Sequence, residues 1–273
     1  MRKYSLLTII RLATVSVVFF LHFLLPWGQG IGYRRALAEK PVWTKYASYT
    51  TYFNAEERGR TQNIAIAAAL IDGITLQAYG EFSFNQTVGR RTQEAGFQQA
   101  KIIVNGEYVL GVGGGVCQVS TTLYNAALKA GLEVTEFHPH SLRVSYVPPS
   151  RDAMVSSQSD LKLYNPYAYS VRLQTEVNGG SLRVCFYAQT DSVKMFDRFE
   201  ISSYVLEEIS PPPPIVKDGE KEEILRSPKN GIKSEAYLER YHGDSLLYRK
   251  RLRIDEYRPV QGILVKKNEN PLY

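Results

Sequence analysis

The chain has 273 residues, enough for one substantial core and a second small one, and its 44% apolar and 12% aromatic content excludes a disordered chain. The net charge of +6 is local. Arg2, Lys3, Arg11, Arg34 and Arg35 fall within the first 38 residues with no acid among them, and the remainder holds 28 basic against 27 acidic residues. A nearly neutral body with no basic stripe interleaved with aromatics argues against a nucleic-acid binder.

Arg2 and Lys3 precede an apolar run from Leu12 to Trp27, followed by the small-x-small pattern Ala36-Leu37-Ala38. Residues 1–38 therefore read as a cleaved signal peptide or a retained membrane anchor, entered with the N-terminus inside. Either way the body is expected outside the cytoplasm, membrane-anchored or secreted.

Residues 39–58 form a polar, tyrosine-rich lead-in. Arg60 to Leu70 reads as a helix: Ile64, Ala67, Ala68 and Ile71 share a face, with Gln62 and Asn63 turned elsewhere. Thr75 to Phe84 looks extended and ends in a turn at Asn85, with Phe82 and Phe84 as core residues. Lys101–Val104 and Glu107–Leu110 flank Asn105-Gly106, a strong hairpin signal.

That hairpin leads into Gly111-Val112-Gly113-Gly114-Gly115-Val116-Cys117-Gln118. Val119, Leu123, Ala126, Ala127 and Ala130 then recur at helical spacing, and Gly131 supplies a stop, so a helix is expected from Gln118 to Ala130. Cys117 thus sits at a helix start behind a loop nearly free of side chains. The helix dipole and free N–H groups there push a thiol toward thiolate. The pattern suits a nucleophile with an oxyanion hole beside it, or a buried structural cysteine after a tight turn. Ser120, Thr121 and Thr122 can cap N–H groups in the first turns. Gly113-Gly114-Gly115 is not followed by the Gly-Lys-Ser/Thr of a nucleotide-phosphate loop.

Leu132 to Val147 alternates in strand fashion up to Pro148-Pro149, and Asp160–Tyr164, Ser170–Val177 and Leu182–Ala188 read as further antiparallel strands. The expected class is α+β: an antiparallel sheet with two main helices, an N-terminal signal or anchor helix, and a small β-rich C-terminal tail. Segment bounds follow: 1–38 for the signal or anchor, 39–205 for the main domain, 206–222 for a linker around Pro211–Pro214, and 223–273 for a β-rich module with a turn at His242-Gly243-Asp244. Cys185 lies in a strand pattern and reads as a structural small residue; free thiols are favoured over a Cys117–Cys185 disulfide.

Phe82-Ser83-Phe84-Asn85-Gln86-Thr87-Val88-Gly89, then Gly113 to Asn125, His140-Ser141 and Arg151-Asp152-Ala153, resemble the VanW family from about Arg58 to about Tyr187. Ser150 stands where that family more often has glycine. The family takes its name from an accessory protein of vancomycin-resistance clusters, and some members have been described as L,D-transpeptidases with a cysteine nucleophile. The resemblance implies a cell-envelope acyl transferase acting on peptidoglycan stem peptides, with the membrane as a partner if the N-terminal segment is uncleaved.

A cysteine acyl transferase needs a base and an orienting group. Cys117 is the nucleophile; His140, at the family's position, is the base, with His138 as runner-up; Asp152 is the orienting acid. Gly114, Gly115, Gln118 and Ser120 are candidates for oxyanion or substrate contact. Arg143 and Arg151 could hold a peptide carboxylate bidentately. His138 and His140 would share a strand face and with Cys117 make three ligands, but no fourth is evident, so no metal or other cofactor is expected. The competing reading is a non-catalytic module that binds wall peptide or a partner protein, linked to glycopeptide resistance, in which Cys117 is packed and inert.

Overall fold

The computed structural model describes residues 42–104, 106–189, 197–219 and 221–267. The expected signal or anchor segment and Asn105 of the hairpin turn lie outside the described residues. Among those described, no helix is long and apolar enough to cross a membrane.

Most of the tyrosine-rich lead-in is a strand: Trp43–Tyr52 forms β1, which pairs antiparallel with β9 (Ser181–Gln189). With β8 (Val171–Asn178) and the short β2 (Thr75–Leu76) they make a sheet ordered β1-β9-β8-β2. Helix α1 (Arg58–Ile71) contacts β8. It buries Ile64, Ala67, Ala68 and Ile71 as expected, and also Asn63. Burial of that amide is tolerated because its hydrogen-bonding groups are matched: Nδ2 donates to Gln98 O and Gly114 O at 2.9 Å each, and Oδ1 accepts from Gln98 N at 2.7 Å.

The expected strand 75–84 splits into β2 and β3 (Glu81–Ser83), after which a short helix, α2 (Phe84–Val88), replaces the turn. The Ser83 hydroxyl accepts from Gln86 N at 3.1 Å and caps it. β3 pairs with β7 (Lys162–Tyr164), which pairs with β6 (Glu133–Glu136). The expected strand 132–147 stops at Glu136; residues 137–152 run as irregular backbone. Side chains meet some of their backbone groups, as at His140 N and Ser150 N, and distant backbone meets others, as Met154 N donating to His138 O. The hairpin is β4 (Gln99–Val104) with β5 (Glu107–Val112) and forms a two-stranded sheet of its own.

Helix α3 (Val116–Lys129) is the centre of the core, with every residue from Gln118 to Leu128 buried. Val119, Leu123, Ala126 and Ala127 face the apolar interior with no exposure. Val119 and Leu123 each contribute roughly 1.5–3 kcal/mol on burial. The polar face is buried too, because it grips an extended segment. Ser120 Oγ donates to Ala153 O at 2.6 Å, Thr121 Oγ1 accepts from Ala153 N at 2.9 Å, and Asn125 Nδ2 donates to Arg151 O at 2.7 Å.

The C-terminal third is all strand. β10 (Arg198–Ile209) runs through residue 205 and pairs with β13 (Gly231–His242), which pairs with β14 (Ser245–Tyr257). A second small sheet joins β11 (Ile215–Gly219), β15 (Ile263–Lys267) and β12 (Glu223–Arg226), and its β11–β15 pair is parallel. Among the described residues the other strand pairs are antiparallel and two helices are long, as the apolar spacing suggested.

Candidate active site

A cleft of about 1270 Å³ opens over the start of α3 and is lined by the glycine loop, Cys117 and His140. The loop is shaped by two glycines with different tasks. Gly115 is the N-cap of α3 with φ of 111°, a backbone conformation that side chains disfavour. At Gly114 a Cβ would lie 2.6 Å from Lys101 O and 2.8 Å from Ala100 C, so the loop packs directly on the β4 backbone. Asn63 straps Gly114 from the other side.

Cys117 is half-buried in the first turn of α3, and its thiol donates to Val155 O at 3.3 Å. Both cysteines are free thiols, Cys185 fully buried in β9. His140 lines the cleft beside Cys117 and acts on its sulfur, while its Nδ1 lies 2.7 Å from Asp152 Oδ2. The same oxygen accepts from His140 N at 2.7 Å, which fixes the ring's orientation through its own backbone. The imidazole of His140 thus stands between the Cys117 sulfur, on which it acts electrostatically, and a wholly buried carboxylate that orients it through two hydrogen bonds.

The electrostatics follow from this arrangement. Burial works against a charged imidazole, but the bonds to Asp152 and Cys117 outweigh it and push the His140 pKa up to about 9. Burial likewise favours a neutral thiol at Cys117, yet the hydrogen bond and charge of His140, with the charge of Arg91, hold it below the usual thiol value. Asp152 is kept below the carboxylate range, against burial, by His140, Arg253 and Tyr257. The two shifts act in the same direction, toward a thiolate beside an imidazolium.

The other expected residues are distributed differently. His138 turns its Nε2 to Glu136 Oε1 at 3.1 Å and does not line the cleft. It lies past the end of β6, so the alternation that would place it on His140's face does not apply. Gln118 lines the cleft, but its Nε2 donates to Thr51 Oγ1 and Tyr52 O at 3.0 Å each and its Oε1 accepts from Arg60, which commits the amide to holding β1. Ser120 is spent on Ala153 O and Cys117 O. Arg143 is exposed and outside the cleft. Arg151 also lies outside it, with Nε on Asn125 Oδ1 at 2.9 Å and its guanidinium over the Tyr49 ring.

Sequence reasoning missed five arginines and tyrosines that matter. Arg253 and Tyr257 reach Asp152 from β14: Arg253 Nη1 donates to Asp152 O at 2.6 Å, Nη2 approaches Oδ1 at 3.4 Å, and the Tyr257 hydroxyl donates to Oδ1. Arg60 and Arg91 line the cleft itself. Tyr146 lines it as well; burial holds its phenol protonated, well above its ordinary pKa. No local motif marks these residues, because each is brought in from a distant element.

The family described as VanW like protein matches residues 59–187. The protein named "Uncharacterized protein YoaR" of Bacillus subtilis (strain 168) is 43% identical over 141 residues, covering 51% of this chain and 46% of that one. The chain therefore spans about half the length of this curated relative. Among solved structures, one titled "Crystal structure of HP0197-G5" is similar at 19% identity and a TM-score of 0.14, covering 25% of this chain and 97% of that chain. Residues 59–187, which carry Cys117, His140 and Asp152, are a VanW-like domain.

Proposed function

We propose that the cleft is the active site of a cysteine-dependent acyl transferase, working outside the cytoplasm on the stem peptides of peptidoglycan. The observation that carries the chemistry is the placement of His140 beside Cys117 in the cleft, with its ring and backbone held by the buried Asp152. The choice of stem peptides and of the envelope rests on the likeness to the VanW family and on the charged and apolar pattern of residues 1–38.

In the first half-reaction the Cys117 thiolate attacks an amide carbonyl carbon and a C–S bond forms. The Cys117 N–H, which has no acceptor among the described residues, is placed to receive the developing oxyanion. His140 gives its proton to the departing amine as the C–N bond breaks, leaving a thioester. An acceptor amine, or water, then attacks the thioester; His140 takes its proton, and the thiolate leaves. Asp152 keeps the ring in the orientation that points its free nitrogen at sulfur.

The test is the rate of Cys117 alkylation against pH in protein lacking the first 38 residues, with Cys117→Ala as the control. A reactive thiol with a depressed apparent pKa, lost in His140→Ala, supports the reading and leads to assays on stem peptides. An inert thiol overturns it in favour of a wall-binding module.

A further inference from the structure

Two arginines flank the glycine loop. The stem of Arg91 packs where a Cβ on Gly113 would lie, at 3.1 Å, and the stem of Arg60 packs where one on Gly115 would lie, also at 3.1 Å. Both guanidiniums are half-buried and both line the cleft. Each has a neutral side-chain acceptor: Arg60 Nη2 donates to Gln118 Oε1 at 2.7 Å, and Arg91 Nη2 to Asn85 Oδ1 at 2.5 Å. Among the described residues neither is in an ion pair, whereas Arg253, also buried, is held by two carboxylates.

A guanidinium taken partly out of water without a carboxylate is costly, and it presents five donors in a fixed fork. The charges near these two do not supply an anion at the guanidinium. Asp160 acts on Arg91 from a distance, but its oxygens accept from Ser83 Oγ, Asn85 N and Leu161 N. Arg60 has Tyr146 under it, with the ring centroid 5.9 Å away, and that phenol stays protonated. The exposed rim adds Arg90 and Lys101 against one acid, Glu57. The walls are therefore positive on both sides of the sulfur, and Arg91 acts electrostatically on the thiolate.

We infer that Arg60 and Arg91 form a carboxylate subsite, so that the acyl donor is a peptide carrying a free carboxylate close to the scissile amide. This rests on the acyl-transfer reading of the cleft, and it replaces Arg143 and Arg151 as the anion-binding pair. Positive walls also favour the encounter with an anionic substrate, more strongly at low salt.

Iodoacetate and iodoacetamide alkylate a thiolate by the same displacement of iodide and differ in the carboxylate. The ratio of their rates at Cys117, set against that of a small free thiol in the same buffer, reads the subsite directly. The expected result is a ratio raised about tenfold or more, the scale of one charge-assisted hydrogen bond, and falling with added salt. It should collapse in Arg60→Gln and Arg91→Gln, recover in part in Arg60→Lys and Arg91→Lys, and stay raised in Arg143→Gln. Since the ratio cancels any change in thiolate content, a merely structural arginine would not move it. A ratio equal to that of the free thiol, or one insensitive to both arginines, overturns the subsite while leaving the nucleophile standing. If neither reagent reacts, acyl transfer fails, and the subsite is decided in Cys117→Ala by NMR titration with an N-acetyl dipeptide as acid and as amide. Preference for the acid, lost in Arg60→Gln and Arg91→Gln, sustains it; equal binding overturns it.

Discussion

The phenol of Tyr257 donates a hydrogen bond to Oδ1 of Asp152, 105 residues earlier in the chain. The same oxygen atom of Tyr257 accepts from Ser150 N at 2.8 Å, so one hydroxyl ties the residue before Arg151 and the carboxylate behind His140 to the end of β14. The C-terminal strands are therefore part of the site's support. Tyr257→Phe leaves Ser150 N without its buried acceptor and removes one of the donors to Asp152 Oδ1, and is expected to lower stability by about 1–3 kcal/mol. Chemical denaturation measures this. Cys117 alkylation at neutral pH should also slow, because Asp152 is less firmly aimed at the ring. Unchanged stability and unchanged reactivity together would show that β14 merely lies alongside.

The pH response follows from the two shifted groups. The His140 pKa is raised to about 9 and that of Cys117 is lowered, so thiolate and imidazolium coexist between the two. Alkylation should persist below the pH at which an ordinary thiol, with pKa near ~8.5, is protonated. Acyl transfer, which needs the imidazolium to protonate the leaving amine, should decline as pH rises through about 9. In His140→Ala burial acts on the sulfur without its principal counter-charge, and the onset of alkylation should move to higher pH. A pH–rate profile identical in wild type and His140→Ala would separate the ring from the thiol.

The parts of the fold legible in the sequence are those where polarity and periodicity agree. The repeats of Ala67, Ala68, Ala126 and Ala127 mark the two long helices, and Asn178-Gly179-Gly180 marks the turn between β8 and β9. Where buried polar groups are satisfied by one another, the pattern misleads. On β14 the inward residues are Arg253, Asp255 and Tyr257, while Ile254 between them is 44% exposed. Alternation alone would put Ile254 inside. Arg253 is inside because Asp152 and Asp255 neutralise it and the Phe137 ring lies 4.8 Å from its guanidinium. Asn63 and the irregular run 137–152 escape a periodicity argument for the same reason. In the candidate site, Cys117, His140 and Asp152 were legible as motif residues. The arginines of the cleft were not, since Arg60 and Arg91 meet only across the glycine loop.

The loop itself supplies a sharp steric test. A methyl at Gly114 meets backbone atoms of Ala100 and Lys101 closer than 3.0 Å, which no side-chain movement relieves. Gly114→Ala is therefore expected to cost about 1–3 kcal/mol and to displace the start of α3 from β4. The displacement should appear as a loss of Cys117 reactivity larger than the loss of stability alone explains. The contrast is Gly89→Ala: a Cβ there meets nothing within 4 Å, but φ of 71° with ψ of −162° is a conformation nearly confined to glycine, so its cost is backbone strain alone, about 1–3 kcal/mol. Thermal melts of the two variants, with alkylation rates measured well below either midpoint, separate the effects.

Ser150 gives a final test of how the site is held. Its φ of 58° is left-handed, a conformation that glycine adopts without strain. It is fully buried, and its hydroxyl lies 2.8 Å from that of Ser234 on β13, a bond glycine would lack. Ser150→Gly relieves roughly 1–2 kcal/mol of backbone strain but removes that bond and leaves the Ser234 hydroxyl buried without a partner, at a cost of about 1–3 kcal/mol. The two nearly cancel, and the single variant should be neutral or slightly less stable. Adding Ser234→Ala removes the orphaned hydroxyl, so the double variant should be more stable than Ser150→Gly, with Ser234→Ala alone destabilising. A double-mutant cycle by denaturant titration measures the coupling between the two hydroxyls. Strict additivity of the two substitutions would mean that the Ser150–Ser234 bond contributes nothing to docking β13 against the segment that carries Asp152.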